Sequence, residues 1–234
     1  MVQDISDKPF LIVTMDLFII GDVHGCFFTY LKLLQHWNPR SEYLIQLGDL
    51  VDRGNHSPKT IRLSYEIQLA FKKQTIFLKG NHEQLMQHAL LGKDPMKNWE
   101  RNGGTETMLQ FERESIDPYI YISWIRNLPL FWENKKVFIS HAGIAAEAID
   151  PWNPDATDGL LWNRKPLQKM DKLQVVGHTP LLDGKPEFLP ESNAWNIDTG
   201  AYKGICLTGI KIRKNGTFIE TISVPTDKRD IKNL

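Results

Sequence analysis

Hydrophobic and polar positions along this chain repeat one succession three times. Asp16-Leu17-Phe18-Ile19-Ile20 is a run of branched and aromatic residues, a length and composition that predict a buried strand. It stops at Gly21-Asp22-Val23-His24-Gly25. Residues 27–37 then carry apolar side chains at 27, 31, 33, 34 and 37, the spacing of an amphipathic helix. Residues 43–47 predict a second strand, closed by Gly48-Asp49-Leu50-Val51-Asp52-Arg53-Gly54. Ser57-Pro58 then reads as a helix start, with the helix reaching about residue 73. Residues 75–78 predict a third strand. It passes through Lys79 into Gly80-Asn81-His82-Glu83 and a further helix ending near 91. Strand, glycine-bounded polar tip and helix in alternation predict an α/β arrangement, in which ligands gather beyond the carboxyl ends of the strands.

Residues 92–127 read as mostly helical, interrupted at Asn102-Gly103-Gly104, and predict an insertion capping the sheet edge. Trp99 and Trp124 lie within it and Trp132 just beyond; core packing of the cap is the expected role. Strands return at 130–133 and 137–140, the latter closed by His141-Ala142-Gly143. A Pro/Asn/Asp-rich loop covers 150–158, and a strand at 173–176 ends in Gly177-His178-Thr179-Pro180. Alternation at 194–199, 204–212 and 217–224 predicts antiparallel strands closing a second sheet. No repeat or long linker divides the chain, so one catalytic domain over 1–234 is expected, with a helical insertion at about 92–127. The fold class is α/β, α+β in part, with two packed mixed sheets flanked by helices.

Composition narrows the function. Lys plus Arg and Asp plus Glu each number 28, so no global basic field points to nucleic acid and no acidic tail appears. Cys26 and Cys206 lack metal-type spacing. They could pair only if the fold joins them, and two buried free thiols in a reducing compartment are expected. Asp4, Asp7 and Lys8 make the start unlike a signal peptide, and no apolar run approaches the ~20 residues of a membrane span. A cytoplasmic protein without membrane contact is expected, with a monomer as the expected state.

The candidate chemistry sits in the polar tips. In an extended segment residues i and i+2 point the same way, so Asp22 and His24 can converge. Five strand ends offer Asp22, His24, Asp49, Asn81, His141 and His178. Of seven histidines, four (24, 82, 141 and 178) occupy such tips, whereas His36, His56 and His88 read as solvated. Oxygen and imidazole donors without thiolate suit manganese, iron or zinc rather than a closed structural zinc site.

The three blocks at 21–25, 48–54 and 80–83 resemble the signature blocks of PPP-type serine/threonine phosphoprotein phosphatases, within the calcineurin-like metallophosphoesterases. His141-Ala142-Gly143 and Gly177-His178-Thr179-Pro180 resemble the later histidine blocks, and Ile197-Asp198-Thr199-Gly200 a following segment. Trp99, Asn102-Gly103-Gly104 and Trp162-Asn163-Arg164 resemble the small bacterial and bacteriophage branch, of the lambda phosphatase kind.

The resemblance implies the calcineurin-like metallophosphoesterase fold and two divalent metal ions, manganese first and iron or zinc as alternatives. Asp22 and His24 would hold one ion, Asp49 would bridge, and Asn81, His141 and His178 would hold the other. It further implies a metal-bridging hydroxide attacking phosphorus in line. Arg53, Arg164 and Asn81 would bind the substrate phosphate, with Arg101 in reserve for Arg164, and His82, oriented by Asp52, would protonate the leaving alkoxide. The implied substrate is a phosphorylated protein or peptide.

Symmetrical dinucleoside tetraphosphate hydrolases share the fold, but usually carry alanine where this chain has Asp52 and aspartate where it has Glu83. A non-catalytic phosphatase-like binding protein should have lost a ligand or the acid, and none is missing. The Ser-Ala-Pro-Asn-Tyr-type loop of the eukaryotic catalytic subunits is absent, so no toxin sensitivity or regulatory subunit is implied.

Overall fold

The computed structural model describes residues 15–93 and 97–231. The chain start, on which the expectation about a signal peptide rests, lies outside the described residues. The three strand–tip–helix units form as the pattern predicts: β1 (Asp16–Ile20) and α1 (Phe27–Leu34), β2 (Glu42–Gln46) and α2 (Ser57–Ala70), β3 (Thr75–Phe77) and α3 (Asn81–Leu90). The insertion follows as α4 (Lys97–Arg101), α5 (Gly104–Arg113), a 3-10 turn over Pro118–Tyr121 and α6 (Ile122–Arg126). Then come β4 (Phe131–Glu133), β5 (Val137–Ser140), β6 (Leu173–Val176), β7 (Glu187–Leu189), β8 (Ala194–Asn196), β9 (Cys206–Ile212) and β10 (Phe218–Pro225).

Two five-stranded mixed sheets result, ordered β10-β9-β1-β2-β3 and β4-β5-β6-β8-β7. β1, β2 and β3 run parallel, as do β5, β6 and β8; the remaining strands join antiparallel. The predicted grouping of the C-terminal strands changes here. β8 belongs to the second sheet, but β9 and β10 extend the first, with β9 against β1. Alternation shows which face a residue takes, not which distant strand it pairs with.

Both faces of β1 are buried, which is why its sequence is a continuous apolar run. Leu17 and Ile19 join Ile45, Leu47, Val137, Ile139, Val175 and Ile210 in the layer between the sheets. Phe18 and Ile20 face the other way, onto Tyr30, Leu33 and Ile61 of the helical layer. Each fully buried side chain of this size contributes roughly 1.5–3 kcal/mol. The construction leaves both sets of parallel strands with their carboxyl ends at a shared edge, and the polar tips meet there. Cys26 and Cys206 are buried and unpaired. Among the described residues no helix is long and apolar enough to cross a membrane.

Candidate metal centre

Backbone conformation marks the edge as a site before any side chain is considered. Seven described non-glycine residues have positive φ, and five of them are His24 (46°), Asp49 (54°), Asp52 (70°), Arg53 (69°) and His178 (68°). Each such residue costs roughly 1–2 kcal/mol, and strain of this kind concentrates where function demands a particular side-chain direction.

One group of donors is Asn81, His141 and His178. The Asn81 Oδ1 lies 2.9 Å from His141 Nε2 and 2.9 Å from His178 Nδ1, and those two nitrogens are 3.1 Å apart. His141 Nδ1 lies 3.0 Å from the Leu47 carbonyl, to which it must donate, so its Nε2 presents a lone pair. That lone pair facing the Asn81 oxygen leaves two acceptors in contact with no proton between them. Two acceptors at that distance repel unless a cation lies between them. Spacings near 3 Å are those of neighbouring ligands around an ion with bonds of about 2.1 Å. Burial, reinforced by the facing His141, pushes His178 down to about 2, so it is a neutral imidazole.

A second group is His24, Asp49 and His82. His24 Nδ1 lies 3.0 Å from the Val51 carbonyl, and its Nε2 faces Asp49 Oδ2 at 3.3 Å. Asp49 turns its other oxygen, Oδ1, to His141 Nε2 at 3.5 Å. One carboxylate thus faces both groups. His24, Asp49 and His82 are geometrically able to hold one metal ion, and Asp49, His141 and His178 another, and every member is buried. Burial alone would raise Asp49, but His141, His82 and His24 together hold it well below the usual carboxylate range.

Asp22 is buried against the tip that carries His178. Its Oδ2 accepts from the His178 N–H at 3.0 Å, while its buried Oδ1 has no hydrogen-bond partner. Only glycine fits beside it: a Cβ on Gly177 would lie 2.1 Å from Asp22 Oδ1. His24 has left the extended region (φ 46°), so the turn rather than strand alternation sets its direction. Asp198, just beyond β8, was not legible as a site residue although its segment stood out in the sequence. It is 2% exposed and sits at the sixth parallel strand end. Burial raises it to about 6, and burial together with Asp198 and Asp49 raises Asp22 well above its ordinary value. Buried carboxylates that repel one another are a donor set suited to cations. Metal affinity is therefore expected to weaken as pH falls through about 6, by up to about tenfold per pH unit as each proton competes. Calorimetric titration of manganese at about pH 5.5 and 7.5 checks this, and Asp198→Asn should flatten the dependence.

Glu83 is a brace. Its carboxylate accepts from the N–H groups of Asp49 (2.7 Å), Leu50 (2.8 Å) and Gly80 (2.9 Å), tying the second block to the third. His82 Nδ1 lies 2.6 Å from Asp52 Oδ2, and Asp52 is fully buried. Arg53 is exposed and donates to Asn102 Oδ1 at 2.9 Å. Arg164, also exposed, donates to Thr179 Oγ1 at 3.3 Å, beside His178. Both predicted phosphate-binding arginines therefore border the centre; no contact places Arg101 there. Tyr202 was missed by sequence reasoning. Its ring meets His24 edge-on with centroids 4.9 Å apart, and the Arg53 guanidinium lies 5.8 Å from its centre.

A two-sheet α/β frame whose parallel strand ends deliver oxygen and imidazole donors to one buried edge defines a metal-dependent hydrolase. Residues 15–206 match the model of the calcineurin-like phosphoesterases, and the chain belongs to that family, whose members use a dinuclear metal centre. An asymmetrical bis(5'-nucleosyl)-tetraphosphatase, PrpE of Bacillus cereus, is 30% identical over 241 residues, covering 89% of this chain and 93% of its own. Among solved structures, a protein serine/threonine phosphatase from Saccharomyces cerevisiae superposes with a TM-score of 0.65 at 18% identity, over 93% of this chain and 82% of that one. A cold-active protein-tyrosine phosphatase of a Shewanella species gives 0.62 at 19% identity, over 90% and 80%. At these identities the structural likeness concerns the fold alone.

Proposed function

We propose that this chain is a two-metal phosphomonoester hydrolase acting on phosphoserine or phosphothreonine in a protein or peptide, with manganese as the working metal. Asp22, His24 and Asp49 would hold one ion, and Asn81, His141 and His178 would hold the other, with the Asp49 carboxylate facing both groups. Asp22 is preferred over His82 for the first ion because its buried Oδ1 lacks any partner. Two divalent ions in that position supply an activated water and neutralise charge on the phosphoryl oxygens.

The protein's own residues do the rest. Arg53 and Arg164, with Asn81, bind the non-bridging oxygens, the guanidinium fork matching phosphate geometry. His82 gives its Nε2 proton to the leaving oxygen while Asp52 holds the opposite nitrogen. The 2.6 Å Asp52–His82 contact is the observation that carries the reading. A serine or threonine alkoxide leaves poorly unless protonated, and a positioned acid is worth most there. A nucleotide phosphate leaves more readily and needs the acid less.

The 30% identity to a dinucleoside tetraphosphatase favours a second reading, hydrolysis of a dinucleoside tetraphosphate. The sequence departs from the symmetrically cleaving hydrolases at Asp52 and Glu83, and the name of this relative specifies asymmetrical cleavage. Chelator-stripped protein reloaded with manganese separates the readings. We expect the highest kcat/KM on a phosphoserine peptide, compared with a phosphotyrosine peptide and diadenosine tetraphosphate. A decisive preference for the dinucleotide would establish the second reading instead.

A further inference from the structure

The insertion reaches into the centre from the side. Trp99, in α4 and fully buried, donates its indole N–H to both oxygens of Asp52, at 2.9 Å and 3.2 Å. Thr107, in α5 and equally buried, donates its hydroxyl to Asp52 Oδ1 at 2.6 Å. The backbone N–H of Asp52 is held by Ser57 Oγ at 2.9 Å, which itself lies 3.4 Å from Thr107 Oγ1. Between the two donors the chain turns at Gly103, with φ +109°, where a Cβ would approach the Asp52 Cβ and the Arg53 nitrogen to 3.1 Å. The insertion therefore sits directly on two consecutive residues in the left-handed region, Asp52 and Arg53.

We propose that Trp99 and Thr107 are positioning residues for the proton transfer, fixing the Asp52 carboxylate so that His82 presents Nε2 to the leaving oxygen. This rests on the reading of His82 as proton donor. In the step concerned the N–H bond at His82 Nε2 breaks and the O–H bond of the departing alcohol forms. The P–O bond pair goes to that oxygen, and the neutral imidazole regains its proton from solvent. Asp52 has three side-chain donors around it, and only one is His82. With Trp99 and Thr107 in place, the carboxylate cannot rotate about its Cβ–Cγ bond without losing short hydrogen bonds in a site closed to water. The helical cap is thereby part of the catalytic apparatus, which its distance in sequence from the metal blocks conceals.

A bland alternative is that the two donors merely satisfy a buried charge. Leaving-group dependence distinguishes them, because p-nitrophenolate departs without protonation and a serine alkoxide does not. Thr107→Val removes the hydroxyl while nearly keeping shape. It is expected to lower kcat on a phosphoserine peptide about tenfold and to leave p-nitrophenyl phosphate within about twofold, with metal content unchanged. Thr107→Ser, which keeps the hydroxyl, should restore most of the loss. Equal effects on both substrates, or no effect on either, would overturn the proposal. His82→Asn measured alongside keeps the two claims apart. If it too lowers both substrates equally, the proton-donor reading fails. If its loss is selective and that of Thr107→Val is not, only the role of the insertion fails.

Discussion

His82→Asn is expected to reduce kcat on a phosphoserine peptide by about 10²–10⁴-fold while the protein retains its full complement of metal. The geometry makes this substitution informative because His82 Nε2 has two available roles. It lies 4.0 Å from Asp49 Oδ2, within the buried group able to hold an ion. A histidine whose far nitrogen donates to a carboxylate also describes a metal ligand. Asparagine keeps the backbone N–H that His82 donates to Asp49 Oδ1 at 3.0 Å, so the centre's frame is preserved. Metal analysis beside kinetics separates the roles. Full metal with a large loss on the alkyl ester and a small loss on p-nitrophenyl phosphate identifies the acid. Loss of one ion per chain would make His82 a ligand, and unchanged turnover with full metal would remove it from the chemistry.

Asp22→Asn and His178→Asn are expected to lose metal and activity together, with turnover falling at least about 10³-fold, since the ions supply both the nucleophile and charge neutralisation. The physical basis differs between the two. Asp22 is a buried carboxylate with one oxygen bonded to the His178 N–H and the other unpartnered. Removing its charge removes the strongest attraction for a cation near that oxygen. His178 is held neutral by burial, and asparagine at that position cannot reproduce the 2.9 Å and 3.1 Å edges that its ring nitrogen makes with Asn81 and His141. In metal-free protein both substitutions should be tolerated, because Asp22→Asn removes a buried charge repelled by Asp198 and Asp49, and His178→Asn removes a buried ring nitrogen that has no partner. Elemental analysis after reloading checks the metal, and a phosphoserine peptide assay checks the turnover. Full activity at full metal content would exclude the substituted residue from the ligand set.

The six predicted donors were legible because their setting repeats. Apolar runs buried on both faces end in glycine-bounded polar tips, so Asp22, His24, Asp49, Asn81, His141 and His178 stood out against a regular background. What stayed hidden depends on contacts distant in sequence. β9 and β10 pair beside β1, about two hundred residues away, and alternation carries no record of that choice. Asp198 was passed over for the same reason: reading 194–199 into an antiparallel meander removed the parallel strand end that makes Asp198 part of the site. β7, three residues at a sheet edge of which two are exposed, has too little pattern to be read. Trp99 did prove to be core, as expected. Its hydrogen bond to Asp52 spans 47 residues, and a fully buried indole gives no sequence signal of its polar partner.

The central claim is that two ions, not one, work at this edge. Manganese titrated into chelator-stripped protein, with bound metal per chain and turnover of a phosphoserine peptide followed together, tests it most directly. The account predicts no turnover without metal, two manganese ions per chain at saturation, and activity that appears with the second. Full turnover in stripped protein, or saturation of turnover at one ion per chain, would contradict it.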